Sequence, residues 1–115
     1  MNPVQFYKCL ADETRLRCIL LIHLEKELCV CELMQAINES QPKISRHLAQ
    51  LRHCELLTDR RQGQWVFYSI NQALLKWIPT VLSETLQNNP NFLAENITAL
   101  EKMGNRPLRA QSCCS

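Results

Sequence analysis

Two short amphipathic segments, separated by only a few polar residues, are the feature that most restricts the fold of this chain. Apolar residues recur at helical spacing in segment 30–37 and again in segment 41–54. Asn38 begins the polar turn between them, and Ser40 is a typical residue to cap the start of a helix. Pro42 fits the first turn of that helix because its missing N–H would have no partner there. The pattern predicts a helix-turn-helix.

Further helices are predicted on both sides of this motif, with a β-hairpin after it. Gly63 favours a hairpin turn over residues 61–64 because glycine adopts positive φ without strain. The fold class is therefore mainly α with a small β-hairpin wing, in one domain of residues 1–104 followed by a flexible, cysteine-containing tail, 105–115. The predicted elements are helices at 4–10 and 13–24, an extended segment at 27–29, strands at 56–59 and 65–70, a helical region from 72, and a last helix that starts at Asn89 and ends by Gly104.

The second helix of the motif carries a polar stripe that suits contact with double-stranded DNA, although any surface helix has a polar face. In a winged helix-turn-helix, this helix enters the major groove. Lys43 and Arg46 can contact phosphate or guanine. Gln41 and Gln50 can pair with adenine. The order of helix, turn, helix and wing favours a DNA contact over an ordinary solvated face. The predicted DNA-binding residues are Gln41, Lys43, Ser45, Arg46, His47, Gln50, Arg60, Arg61, Gln62, Gly63 and Gln64.

Composition limits the other classes of function. The net charge of +2 does not by itself indicate a nucleic-acid partner. Residues 43–61 hold five basic and two acidic side chains, however, which is a modest basic patch. No apolar run reaches the roughly 18 residues of a membrane-spanning helix, and the first residues lack the pattern of a signal peptide. We expect a cytoplasmic protein with no membrane partner.

Cys29 and Cys31 form a C-x-C pair directly at the start of the first helix of the motif. The chain has seven cysteines, and an odd number argues against a simple disulfide framework. In an extended segment, side chains two residues apart share a face, and a helix start favours the thiolate form. The pair suits a soft ion such as Zn²⁺, Cd²⁺, Pb²⁺ or trivalent arsenic, or else consists of two small buried residues. Cys9, Cys18 and Cys54 are expected to be plain core residues.

Four segments, in order, resemble the ArsR/SmtB family of metalloregulators, and particularly its arsenic-responsive repressors. The segments are CLADETRL at 9–16, ELCVCEL at 27–33, SQPKISRHL at 40–48 and DRRQGQWV at 59–66. The resemblance implies a dimeric repressor that leaves its operator DNA when trivalent arsenic or antimony binds. It also implies that the first and the C-terminal helices form the dimer interface, for which the candidate residues are Phe6, Leu82, Leu86 and Leu93.

The sequence departs from the family at the position of a third arsenic ligand. The best-known site has a third cysteine three residues after the C-x-C, and this chain has Met34 there. A thioether is a weak donor, so Met34 is expected to fill space in the core. Trivalent arsenic is satisfied by three sulfurs, so the predicted metal ligands are Cys29 and Cys31 with Cys113 and Cys114 as first choices for the third. A separate thiol site on the tail, a bound small thiol, or no role for the tail are the alternatives.

Other functions compete with this hypothesis. A repressor of the same fold can sense Cd²⁺, Pb²⁺ or Zn²⁺, and a thiol-oxidation sensor would respond to peroxide without metal. A redox enzyme is not expected, since C-x-C is not C-x-x-C and no βαβ pattern surrounds it. A protein-interaction module with a vestigial winged helix is a further possibility. The relatives that bind Zn²⁺ at the C-terminal helix use Asp and His, and residues 72–105 contain neither.

Overall fold

The computed structural model describes residues 1–104, and the predicted tail with Cys113 and Cys114 lies outside the described residues. Within that range the chain forms six helices and a small sheet. Their bounds are α1 (Pro3–Leu10), α2 (Glu13–Glu25), β1 (Leu28–Cys29), α3 (Val30–Ile37), α4 (Gln41–His53), β2 (Leu57–Gln62), β3 (Trp65–Ile70), α5 (Trp77–Asn88) and α6 (Ala94–Lys102).

Side chains at the helix starts fix the first two boundaries. The Asn2 side chain accepts a hydrogen bond from the Gln5 backbone N–H at 2.9 Å, and the Gln5 side chain accepts one from Asn2 N–H at 3.3 Å. Asp12 Oδ2 likewise accepts a hydrogen bond from the Arg15 backbone N–H at 2.9 Å. These bonds satisfy donors that have no partner inside the helix, and therefore set where α1 and α2 begin.

The helix-turn-helix is formed by α3 and α4, as predicted. Asn38 ends α3 in the left-handed conformation, with φ of 61°, and its N–H donates to the Met34 carbonyl at 2.8 Å. Asn tolerates this conformation better than most residues, so the chain turns there at little cost. Ser40 occupies the N-cap position of α4, and Pro42 lies in its first turn.

The wing belongs to a three-stranded antiparallel sheet with the order β1-β3-β2. β2 and β3 pair from Leu57 opposite Ile70 to Gln62 opposite Trp65. The connection is therefore shorter than the predicted turn at 61–64, because Arg61 and Gln62 continue β2. Gly63, with φ of 63°, supplies the positive φ that the turn requires. β1 pairs with β3 on its other side, a contact that the sequence did not predict.

The apolar faces of the helices enclose one main core. Phe6, Leu82 and Leu93 are no more than 2 % exposed within the single chain. The prediction that these three residues form a subunit interface is wrong, because their surface is already used inside the chain. Among residues 1–104, the large apolar side chains that remain exposed are Met1, Val4, Tyr7, Leu24 and Leu75.

Two of the cysteines expected to be plain core residues are joined to each other. Cys9 is buried in the main core and Cys54 packs against it, and a disulfide links them across 45 residues. The odd number of cysteines therefore did not exclude a disulfide between two of them. Cys18 is fully buried, as expected for a core residue, and this burial raises the pKa of its thiol to about 12.

Candidate functional site

The outer face of α4 carries most of the polar residues predicted to contact DNA. Gln41, Arg46 and Gln50 are exposed, while Lys43 and Ser45 are half-buried. Lys43 Nζ lies 3.0 Å from Glu39 Oε1 in the preceding turn. A partly exposed pair of this kind is weak, so the ammonium group can exchange this carboxylate for a phosphate.

His47 does not share this face, and its predicted placement on the exposed stripe is wrong. It is 5 % exposed, and its Nε2 atom lies 3.6 Å from Asp12 Oδ2. Burial lowers the pKa of His47, against the opposing effect of the Asp12 carboxylate. The sequence held the signal for this placement, since His47 lies three residues after Ile44 and four before Leu51, on the buried face of α4.

Arg15 belongs to the same surface, and sequence reasoning missed it. Its guanidinium donates a hydrogen bond to the Gln50 side chain across the gap between α2 and α4. A further cation therefore lies beside the polar stripe of α4. No periodicity in the sequence could indicate this contact, because it joins residues 35 positions apart.

The wing residues divide into a paired arginine and an exposed tip. Arg60 binds the Glu27 carboxylate through two hydrogen bonds of 2.6 and 2.7 Å, and its guanidinium stacks over the Phe67 ring at 4.7 Å. This geometry is the bidentate one that favours Arg over Lys. The tip residues are all exposed: Arg61, Gln62, Gly63 and Gln64.

The two cysteines of the C-x-C lie where the sheet meets α3. Cys29 is 2 % exposed and packs against Phe67, its partner in β3. Cys31 and Trp65 are half-buried and pack against this pair. The resulting thiol cluster, defined as Cys29, Cys31, Trp65 and Phe67, therefore connects the first turn of α3 to the wing.

Glu32 is a buried acidic residue of this region that sequence reasoning overlooked. Its side chain is 0 % exposed, and its Oε1 atom accepts a hydrogen bond from the Cys29 backbone N–H at 2.9 Å. A Glu at the third position of a helix commonly caps the start in this way. The spacing of Glu32 from Cys29 was the signal that could have identified it.

Other candidate ligands have structural roles. Met34 packs against the main core, as predicted. His23 Nε2 lies 2.9 Å from Ser83 Oγ, and burial lowers the pKa of this histidine. Residues 1–104 contain no cluster of three His, Cys, Asp or Glu side chains that could hold a metal ion. Within the same range, no helix is long and apolar enough to cross a membrane.

Comparison with known proteins agrees with this arrangement. Residues 12–59 match the family model described as bacterial regulatory protein, arsR family. The chain is 54 % identical to the arsenic resistance transcriptional regulator ArsR2 of Pseudomonas putida, with 99 % of each chain covered. It is 51 % identical to the arsenical resistance operon repressor of Escherichia coli over 71 % of this chain and 70 % of the relative.

Solved structures also resemble this fold. Reduced HlyU from Vibrio cholerae has a TM-score of 0.66 at 30 % identity, covering 74 % of this chain and 85 % of that one. The transcriptional repressor BigR from Xylella fastidiosa has a TM-score of 0.64 at 25 % identity, covering 74 % and 83 % respectively. The winged helix-turn-helix fold and the 54 % identity over nearly the full length of both chains show that this chain belongs to the arsR family of bacterial regulatory proteins. It is therefore a transcriptional regulator rather than an enzyme.

Proposed function

We propose that this protein is a dimeric cytoplasmic repressor that binds operator DNA and is released when trivalent arsenic or antimony binds its thiols. Cys29 and Cys31 supply two sulfur ligands in this proposal, and Cys113 or Cys114 supplies a third. Relatives named for arsenic resistance support the choice of inducer. The observation that carries the proposal is the position of the thiol cluster between α3 and the wing.

The DNA-binding half of the proposal assigns α4 to the major groove and the wing to the neighbouring backbone. Arg46 and Gln41 are exposed near the start of α4, where a recognition helix meets base edges. Arg15 adds a cation beside Gln50. Arg61 and the rest of the exposed tip of the hairpin complete the surface with donors for phosphate oxygens.

The sensing half follows from the contacts of Cys29. This residue ends β1, pairs with Phe67 of β3, and precedes the first turn of α3. A ligand that draws Cys29 and Cys31 toward one centre shifts the Cys29 backbone and weakens the hydrogen bond from its N–H to Glu32. Losing one such hydrogen bond costs about 0.5–1.5 kcal/mol. A shift from mostly bound to mostly free operator requires about 5.5 kcal/mol of differential binding, so this bond contributes part of the change.

The shift of the Cys29 backbone also affects the wing. Phe67 lies opposite Cys29 in the sheet and supports the Arg60 guanidinium, which is also held by Glu27 immediately before β1. Movement of β1 therefore changes both supports of Arg60 at once. The proposal gives the inducer two routes to the DNA surface, through α3 to α4 and through β3 to the wing.

Operator binding at several salt concentrations tests the DNA-binding half. Arg46→Ala is expected to weaken operator binding by about 1–3 kcal/mol if the side chain reads a base, or to reduce the salt slope by about one if it holds a phosphate. Lys102→Ala in α6 is the matched control, an exposed cation outside the proposed surface. An Arg46→Ala variant with unchanged affinity and unchanged salt slope would contradict the assignment of α4.

X-ray absorption of the arsenic complex tests the ligand set. The full-length protein is expected to show three sulfur ligands, and a variant lacking residues 113–115 is expected to show two while still binding operator. Three sulfurs in both proteins would remove Cys113 and Cys114 from the site. Release by Cd²⁺, Pb²⁺ or Zn²⁺ but not by arsenite would instead favour the alternative inducers, and release by peroxide alone would favour a thiol-oxidation sensor.

A further inference from the structure

A second pair of cysteines, in the main core and separate from the thiol cluster, joins two elements of the fold. Cys9 lies in the last turn of α1, and Cys54 directly follows α4. Their Cα atoms are 6.8 Å apart, within the range that native disulfides span. Cys9 Sγ also lies 3.9 Å from the Gln50 carbonyl oxygen, which can accept a weak hydrogen bond from the thiol when the pair is reduced.

The two sulfurs differ in their access to solvent. Cys9 is 6 % exposed, whereas Cys54 is half-buried and lines a surface cavity of about 290 Å³ together with Met1, Gln5, His53 and Glu55. A small reagent can therefore reach Cys54 through this cavity. Cys9 is positioned to react only with Cys54.

The two cysteine pairs of this chain lie at different kinds of helix end. Cys9 and Cys54 both lie at the C-terminal end of a helix, where the partial negative charge disfavours a thiolate. Cys29 lies at the N-terminal end of α3, where a thiolate is favoured. A reduced pair that gains no thiolate stabilisation is easier to oxidise. These helix-end positions therefore favour disulfide formation for Cys9 with Cys54 and the thiolate form for Cys29.

We propose that Cys9 and Cys54 form a reversible disulfide that braces α1 against the end of α4, and that responds to low-molecular-weight disulfides independently of the C-x-C. Cys54 first loses its proton to solvent, and the thiolate then attacks one sulfur of the reagent, forms a mixed disulfide and releases the first small thiolate. Cys9 then loses its proton, attacks Cys54 Sγ and releases the second small thiolate. The protein pair loses two electrons and two protons, and the reagent is reduced to two thiols.

The Cys9–Cys54 disulfide closes a loop that contains the elements used in the proposed regulation. The 45-residue separation of the two cysteines spans α2, β1, α3 and α4, and therefore includes both helices of the motif and the C-x-C. Closing such a loop restricts the unfolded chain. The oxidised protein should be more resistant to unfolding than the reduced protein, with no change in the outward face of α4.

Titration of the reduced full-length protein with oxidised glutathione, in the absence of arsenic, tests this proposal. Peptide mapping after alkylation should recover a Cys9–Cys54 linked peptide, while Cys18 is recovered as a thiol. Formation of the link should raise the Tm by roughly 5–15 °C, and dithiothreitol should reverse the change. A link between other cysteines with Cys9 and Cys54 still alkylated, or an unchanged Tm after the link forms, would overturn the proposal.

Single substitutions sharpen the test because the two sulfurs are not equivalent. Cys9→Ser should leave a stable glutathione adduct on Cys54, whereas Cys54→Ser should leave Cys9 unmodified because it is buried. Cys18→Ser should oxidise like the wild-type protein. A stable adduct on Cys9 in the Cys54→Ser protein would contradict the assigned order of attack. The mapping of the wild-type protein decides the main claim even if a variant does not fold.

Discussion

At the scale of single residues, His47 gives the protein a dependence of stability on pH. Burial lowers the pKa of His47, so the unfolded chain takes up a proton at a higher pH than the folded protein does. As the pH falls below the ordinary value of about 6.5, the unfolded state binds more protons and the free energy of unfolding decreases. The stabilising effect of the neutral ring is complete above that pH and is lost below it. The groups that face the ring are Asp12, Arg15, Arg46 and Gln50.

Urea unfolding at pH 5.5 and pH 7.5 measures this effect. His47→Gln should reduce the loss of stability between the two pH values, and His53→Gln, which alters an exposed histidine, should leave the loss as it is in the wild-type protein. The variant will not abolish the loss, because burial also lowers the pKa of His23. An equal loss in the His47→Gln and wild-type proteins would show that His47 is not responsible.

At the scale of secondary-structure elements, a buried amide joins the C-terminal helix to the helix-turn-helix. Asn96 Nδ2 donates to the Ala36 carbonyl at 2.9 Å, and Arg17 Nη1 donates to Asn96 Oδ1 at 2.8 Å. Asn96→Ala should lower the free energy of unfolding by about 1–3 kcal/mol, because it leaves a buried carbonyl without a donor. Thr98→Ala on the exposed face of α6 is the control. Chemical denaturation compares the two, and equal stabilities would contradict a role for this bond in holding α6 against α3.

The bounds of the helices and strands show which boundaries could be predicted from sequence patterns and which could not. The predicted bounds of α3 match the structure, because its periodicity and the Asn38 turn agree. The C-terminal elements begin later than predicted, α5 at Trp77 and α6 at Ala94. Their starts depend on other contacts: the Asn71 side chain accepts the Ala73 N–H in a turn, and Arg17 of α2 binds the Phe92 carbonyl ahead of α6. A two-residue strand such as β1 has no periodicity to detect, since only its pairing with β3 defines it.

At the scale of the whole molecule, one chain presents a single α4, and one recognition helix would read too few base pairs for the tight specific binding proposed above. Two copies placed about one DNA turn apart would read two half-sites. Val4 and Tyr7 are 62 % and 57 % exposed on α1, so they are better candidates for a subunit contact than the buried Phe6. The proposed sensing site likewise depends on tertiary structure: Cys29 and Cys31 are close in sequence, but Phe67 lies beside Cys29 only because β3 pairs with β1. Arg60 in turn stacks over Phe67.

The measurement that tests the central claim most directly is release of operator DNA by arsenite. Cys29→Ser and Cys31→Ser are each expected to bind operator within about threefold of the wild-type affinity, a free-energy change under ~0.7 kcal/mol, and to stay bound when arsenite is added. Cys18→Ser, which alters a buried thiol outside the cluster, is expected to be released like the wild-type protein. Release of either C-x-C variant at the wild-type arsenite concentration would contradict the assignment of the thiol cluster as the sensor.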